Sequence, residues 1–213
     1  MIKITNKSEA LNIIEPSYLA SLSALLWIAL YYLPIGGALL RLILPLPLIL
    51  LHIRRGSKVA LDGIIIQLLL LVILMGPIRG PLFLFPYGLL AFWLGWCWSK
   101  SKSWWFSWIL GIIIGAIGFA IRVFALSTLV GENLWIIITR ASYSLIDKFS
   151  EFLNISSSPS LLSIQIVAIL LIIFQEIVYV FTIHIIAYSL FPRFKSRVPD
   201  PPLILDDFVN FKL

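Results

Sequence analysis

The 213-residue chain is 61% hydrophobic and 12% charged, about half the charged share usual in a soluble domain, and its mean hydropathy is +1.04. A soluble domain would need a polar surface that this composition cannot supply, whereas membrane-spanning helices need very little. The formal charge of +6 therefore reads as basic flanks that orient membrane helices, not as a nucleic-acid surface.

Eight Trp, seven Tyr and fourteen Phe suit interfacial belts and helix packing. The single cysteine, Cys97, excludes an internal disulfide and a cysteine-cluster metal site. His52 and His184 lie far apart in the sequence, so no metal or other cofactor is expected. No cleavable signal is visible, because the first apolar run leads directly into another.

Residues 1–16 read as a polar lead, and Glu15-Pro16-Ser17 as a helix start. The first expected span is about Ser17–Leu33. It carries Ala20 and Ala24 four residues apart, a small-residue strip on one face. Pro34 and Gly36-Gly37 make a turn. The second span, about Ala38–Ile53, contains Arg41 and is interrupted by Pro45 and Pro47. Each proline removes a backbone donor. That is tolerated at membrane depth only where protein or water satisfies the freed carbonyls. The second span must then be packed inside the bundle.

A basic loop follows from His52 to Lys58, then a third span, about Val59–Met75, with Gln67 near mid-depth. Gly76 to Pro81 is a turn. The fourth span runs about Leu82–Trp98, and Ser99–Ser103 is a second basic turn. The fifth span, from Trp104 to about Leu126, carries Gly111-xxx-Gly115, Gly118 and Arg122. The glycine motif serves internal packing more often than dimerisation in a polytopic chain.

Gly131-Glu132-Asn133 marks a turn, and Leu134–Leu153 mixes apolar residues with Arg140, Asp147, Lys148 and Glu151. That pattern fits an amphipathic helix at the interface. A Ser-rich connector, Asn154–Pro159, leads to the last span, about Ser160–Leu190. The expected fold is all-α, a bundle of six transmembrane helices plus one amphipathic helix between the fifth and sixth. Residues 1–16 and 193–213 would be cytoplasmic segments flanking a membrane domain at 17–192.

Six crossings place both termini on one side. That side receives Arg54, Arg55, Lys58, Lys100, Lys102, Arg193, Lys195 and Arg197, and the other Arg79, Arg140 and Lys148. The excess of basic residues assigns the first side to the cytoplasm.

Arg41, Arg79 and Arg122 then fall at similar depth near the outer face. A guanidinium offers forked donors suited to carboxylate or phosphate. With Glu132 and Asn133 from the adjacent turn, they suggest a site for a small polar or anionic solute. The competing reading is that the arginines snorkel to headgroups or pair with Glu132 and Asp147.

Glu176 lies near mid-depth in the last span, where a carboxylate must be paired, protonated or facing a cavity. Tyr179 and His184 share that span. His184 lies eight residues on, on about the same helical face, so Glu176 and His184 form either a proton relay or separate structural groups. No phosphate-cradling loop, metal-ligand spacing or nucleophile–base set is present to suggest an enzyme.

The runs LPIGGALLRLILPLPLILLHIRRG, MGPIRGPLFLFPYGLLAFWLGW, GFAIRV and VGENLW resemble a domain-of-unknown-function family of polytopic membrane proteins from photosynthetic bacteria, similar to the YybS-like proteins. The resemblance covers about residues 17–192. Such families are grouped with the S-components of energy-coupling-factor transporters. The resemblance implies six helices, cytoplasmic termini, a ligand site near the outer face and a bacterial inner (or thylakoid) membrane location.

It also implies a partner-docking role for Ala20 and Ala24, against a transmembrane coupling subunit that works with ATPases. No vitamin-specific residue set is recognisable, and fold alone does not give function. The alternative is a non-transporting scaffold or assembly factor whose arginines bind lipid or a partner.

Overall fold

The computed structural model describes residues 7–33, 36–152, 159–196 and 198–202. Residues 1–6, 34–35, 153–158 (with most of the Ser-rich connector), Arg197 and residues 203–213 lie outside the described residues. The helices are α1 (Lys7–Tyr32), α2 (Gly37–Ile43), α3 (Leu46–Arg79), α4 (Tyr87–Ser99), α5 (Trp104–Val130), α6 (Leu134–Phe152) and α7 (Leu161–Leu190). Short 3-10 turns occur at Pro81–Leu84 and Phe191–Phe194. The described residues contain no strand.

Five helical stretches are long and apolar enough to cross a membrane: Ala10–Tyr32, Leu39–Arg79, Pro81–Ser99, Trp104–Val130 and Leu161–Phe194. As one straight helix, the 41 residues of Leu39–Arg79 would reach about 60 Å, twice the hydrocarbon thickness. The chain instead turns back at Gly56, whose φ of 81° and ψ of 178° lie in a region open essentially to glycine alone.

Across that turn, His52 Nε2 and Ser57 Oγ are 3.0 Å apart. On the returning arm, Gly63 lies against Leu51 so closely that an added Cβ would sit 2.5 Å from Leu51 Cδ2. α3 is therefore a helical hairpin. The basic loop expected from His52 to Lys58 is corrected to a single-residue break with helix on both sides. The second arm ends at Gly76, which has φ 88° and ψ 166°.

α1 begins ten residues earlier than the sequence pattern suggests, at Lys7 rather than Ser17, and Pro16 sits inside it. The physical reason lies in α3. Glu15 Oε1 pairs with Arg54 at 3.1 Å and Glu15 Oε2 with Arg55 Nε at 2.5 Å, holding the first turns of α1 onto the hairpin. The buried residues of α1 are Pro16, Leu19, Ala20, Ser23, Ala24 and Trp27. Their spacing of three and four residues makes one stripe, and that stripe packs on α3.

The first arm of α3 is the centre of the molecule. Every residue from Leu44 to His52 is buried, as the two prolines required. α1, the second arm of α3 and α4 surround it. Gly95 of α4 admits His52, whose Cβ lies 2.5 Å from where a Cβ at Gly95 would stand.

α4 packs on α5, and α5 on α7. The glycines of α5 make these approaches possible. A Cβ at Gly111 would meet Val180, one at Gly115 the Glu176 carboxylate, and one at Gly118 the Pro86 Cα at 2.7 Å. The Gly111-xxx-Gly115 motif is thus used within the chain.

Ser103 caps α5, accepting from Phe106 N at 3.3 Å, and Ser160 caps α7, accepting from Ser163 N at 3.2 Å. α6 lies against α5 and α7. Leu134, Trp135, Ile138, Thr139, Ser142 and Ile146 are its more covered residues, while Arg140, Asp147, Lys148 and Glu151 are exposed. Elsewhere large apolar side chains face outward, Ile109, Ile113, Ile117 and Phe124 of α5 among them. In water such a face is untenable, and in a bilayer it is the required one.

Candidate functional site

Several polar groups of the membrane domain meet beside the place where α2 gives way to α3. The backbone stays near-helical through Leu44 (φ −51°, ψ −46°) and Pro45 (φ −78°, ψ −18°). What is lost there is a hydrogen bond. A helix would bond the N–H of residue 45 to the carbonyl of Arg41, and proline has no N–H. Tyr179 of α7 takes that place, its hydroxyl donating to the Arg41 carbonyl at 2.9 Å. Ser23 of α1 likewise donates to the Leu44 carbonyl at 3.0 Å. The proline break is thereby fastened to α1 and α7 together.

Beside this junction is a cavity of about 340 Å³, at the small end of ligand-sized pockets and room for about eleven waters. Its lining includes Arg41 of α2, Arg122 of α5, Glu176 and Tyr179 of α7, Gln175, Tyr87 and the start of α6 at Leu134. The Arg122 guanidinium lies 5.3 Å from the Trp27 ring centroid and 5.8 Å from that of Tyr87. It also donates to Tyr31 Oη at 3.4 Å.

The ring of Trp27 stands edge-on to Tyr31, Phe83 and Tyr87. Arg122 is thus held on an aromatic bed by cation–π attraction. Neither Arg41 nor Arg122 forms an ion pair among the described residues.

Glu176 is 2% exposed and its Oε2 has no hydrogen-bond partner among the described residues. The carboxylate fits there because Gly115 has no side chain. A carboxylate without a partner at this depth carries a large desolvation cost. The residues lining this cavity therefore include two arginines, two tyrosines, a glutamine and an acid whose Oε2 accepts no hydrogen bond among the described residues. Such a set can bind, orient and neutralise a small charged molecule.

Several sequence expectations are redistributed. Arg79 does not join Arg41 and Arg122, because it lines a separate cavity with Met75, Pro77, Leu126 and Leu129. Arg79 follows the non-helical break at Gly76 (φ 88°, ψ 166°). Glu132 and Asn133 line a third cleft, about 750 Å³, between α5, α6 and α7. Asn133 Oδ1 is occupied in accepting from Trp135 N at 3.0 Å.

His184 is fully buried, and both ring nitrogens are engaged, Nδ1 with the Val180 carbonyl and Nε2 with Ser107 Oγ, each at 2.8 Å. Trp98 and Trp104 enclose the ring. It is part of the α5–α7 packing and does not line the cavity with Glu176. Ala20 and Ala24 are 0% and 2% exposed, so the strip expected to dock a partner is covered by the chain's own α3.

Sequence reasoning passed over Trp27, Tyr31 and Tyr87 as site residues. One link was readable: Pro45 implies a donor for the Arg41 carbonyl, and Tyr179 is a donor near mid-depth.

A family model described as a predicted membrane protein, DUF2232, matches residues 21–204. The chain belongs to that family. The matched range contains Arg41, Arg122, Glu176 and Tyr179, and with the apolar helices it makes this an integral membrane protein. Comparison with curated proteins and with solved structures gives no match.

Proposed function

We propose that this protein is a membrane-embedded binding subunit for a small polar or anionic solute, with the cavity between Arg41, Arg122, Glu176 and Tyr179 as its site. The observation that carries this reading is the meeting of Arg41 and Arg122, 81 positions apart in sequence, on one cavity with a buried, unpartnered carboxylate. Charged groups inside a membrane domain are costly and are kept where they contact a cavity, a substrate or one another. Binding rather than catalysis is the activity proposed.

In this reading the α3 hairpin contributes two crossings and the molecule has six, with α6 an amphipathic helix against the bundle. The basic turns at Arg54–Lys58 and Lys100–Lys102 are then cytoplasmic, and the cavity, near the α5–α6 turn, opens toward the outer side. A bacterial inner or thylakoid membrane is the proposed location. Release of the solute inward depends on partners such as a coupling subunit with ATPases. They would dock on a face other than the Ala20–Ala24 strip. The 750 Å³ apolar cleft between α5, α6 and α7 favours a second reading, a scaffold that seats another membrane component there.

The test is thermal-shift screening of purified, detergent-solubilised protein against vitamins and small anions. At least one compound should stabilise the wild type, and Arg41→Ala and Arg122→Ala should each abolish the shift. Arg79→Ala, outside the cavity, should retain it. A hit that survives both cavity substitutions removes this site from the proposal, and the absence of any hit favours the scaffold.

A further inference from the structure

The charges around the α2–α7 cavity do not suit a simple anion. Arg41 and Arg122 attract one, yet Glu176 lines the same space with no cation within ion-pair distance among the described residues. Its Oε2, closed against Gly115, accepts no hydrogen bond among the described residues. An anion alone would satisfy the guanidinium groups and leave a buried carboxylate facing like charge. A cation alone would satisfy Glu176 and be repelled by both arginines.

Arg122 cannot swing freely to neutralise Glu176, because Trp27, Tyr87 and Tyr31 hold its head. Tyr179, one turn along α7, already gives its hydroxyl proton to the Arg41 carbonyl. What the cavity lacks is a ligand with both charges.

We propose that the solute is a small zwitterion, whose carboxylate or phosphate lies between Arg41 and Arg122 and whose ammonium group meets Glu176. This rests on the solute-binding reading above and specifies its substrate class. A cavity of about 340 Å³ holds a molecule of amino-acid or phosphoamine size. Removing one member of a desolvated charge pair typically costs affinity by about thirtyfold or more.

Calorimetry on protein in phosphatidylglycerol nanodiscs would use L-amino acids and phosphoethanolamine, each beside its deaminated acid and its amine lacking the acidic group. Glycerophosphoethanolamine would stand for a lipid headgroup as the source of the same chemistry. At least one zwitterion should bind, and both of its halves should bind at least about tenfold more weakly. Glu176→Gln should weaken the zwitterion about thirtyfold while leaving the acid half unchanged or tighter.

Preferential binding of glycerophosphoethanolamine over free amino acids would support the zwitterion and assign it to lipid. If an acid half binds as tightly as the zwitterion and Glu176→Gln changes nothing, the zwitterion proposal falls and anion binding stands. If no compound binds, both fall. An unchanged unfolding midpoint for Glu176→Gln separates lost contact from lost fold.

Discussion

The hydroxyl of Tyr179 substitutes for a backbone donor that Pro45 cannot supply, and this can be tested by a double-mutant cycle. In Tyr179→Phe the ring keeps its edge-on packing against Tyr87, whose centroid is 6.1 Å away, and only the 2.9 Å bond to the Arg41 carbonyl is lost. Hydrogen bonds of this kind inside membrane proteins average about 0.6 kcal/mol and reach about 1.7. The Arg41 carbonyl has no alternative helical donor, so a loss toward the upper end, about 1.5 kcal/mol, is expected.

Pro45→Ala returns an N–H to a backbone already near-helical at residues 44 and 45, where it can bond the Arg41 carbonyl in the usual way. In that background Tyr179→Phe should cost less than about 0.5 kcal/mol, a coupling of about 1 kcal/mol. Reversible unfolding in mixed micelles by SDS titration measures all four corners. Equal costs in the two backgrounds would refute the substitution of one donor for the other.

Two glycines should fail for different reasons. Gly118→Ala drives a Cβ into the backbone of Pro86, at 2.7 Å, and should cost about 1–3 kcal/mol as overpacking. Gly56→Ala meets nothing within 4 Å but requires φ 81°, a strain of about 1–3 kcal/mol. Unfolding midpoints of the two variants against the wild type measure each cost, and an unchanged midpoint at either position refutes the reason given for it.

Orientation is tested by thiol accessibility in a Cys97→Ala background, Cys97 being buried. Lys102→Cys should react with a membrane-impermeant maleimide only from the cytoplasmic side, and Thr128→Cys only from the outer side. The opposite result reverses the proposed topology.

Composition and apolar run length were enough to make this a helical membrane protein, because a chain so poor in charge has few other ways to satisfy its backbone. The prolines at 45 and 47 also carried their message locally. Missing donors must be compensated by neighbours, which placed this stretch at the centre of the bundle. Helix starts marked by Ser103 and Ser160 were legible for the same reason, since capping is a short-range matter, whereas α5 runs on past the expected end at Leu126 to Val130, where Gly131 caps it.

The composition of the site was not local. Arg41, Arg79 and Arg122 look equivalent along the chain, yet only Arg41 and Arg122 share a cavity. Arg79 lies beyond the break at Gly76 and lines another cavity with Met75 and Leu129. The small residues of α1 and α5 were equally ambiguous. A strip of alanines or glycines permits close approach without naming the partner. Tertiary packing supplied the partners, α3 for Ala20 and Ala24, and Glu176 for Gly115. Sequence determined what each helix could bury and which carbonyls would lack donors. Which polar groups met was decided by helix–helix contacts between residues distant in the chain.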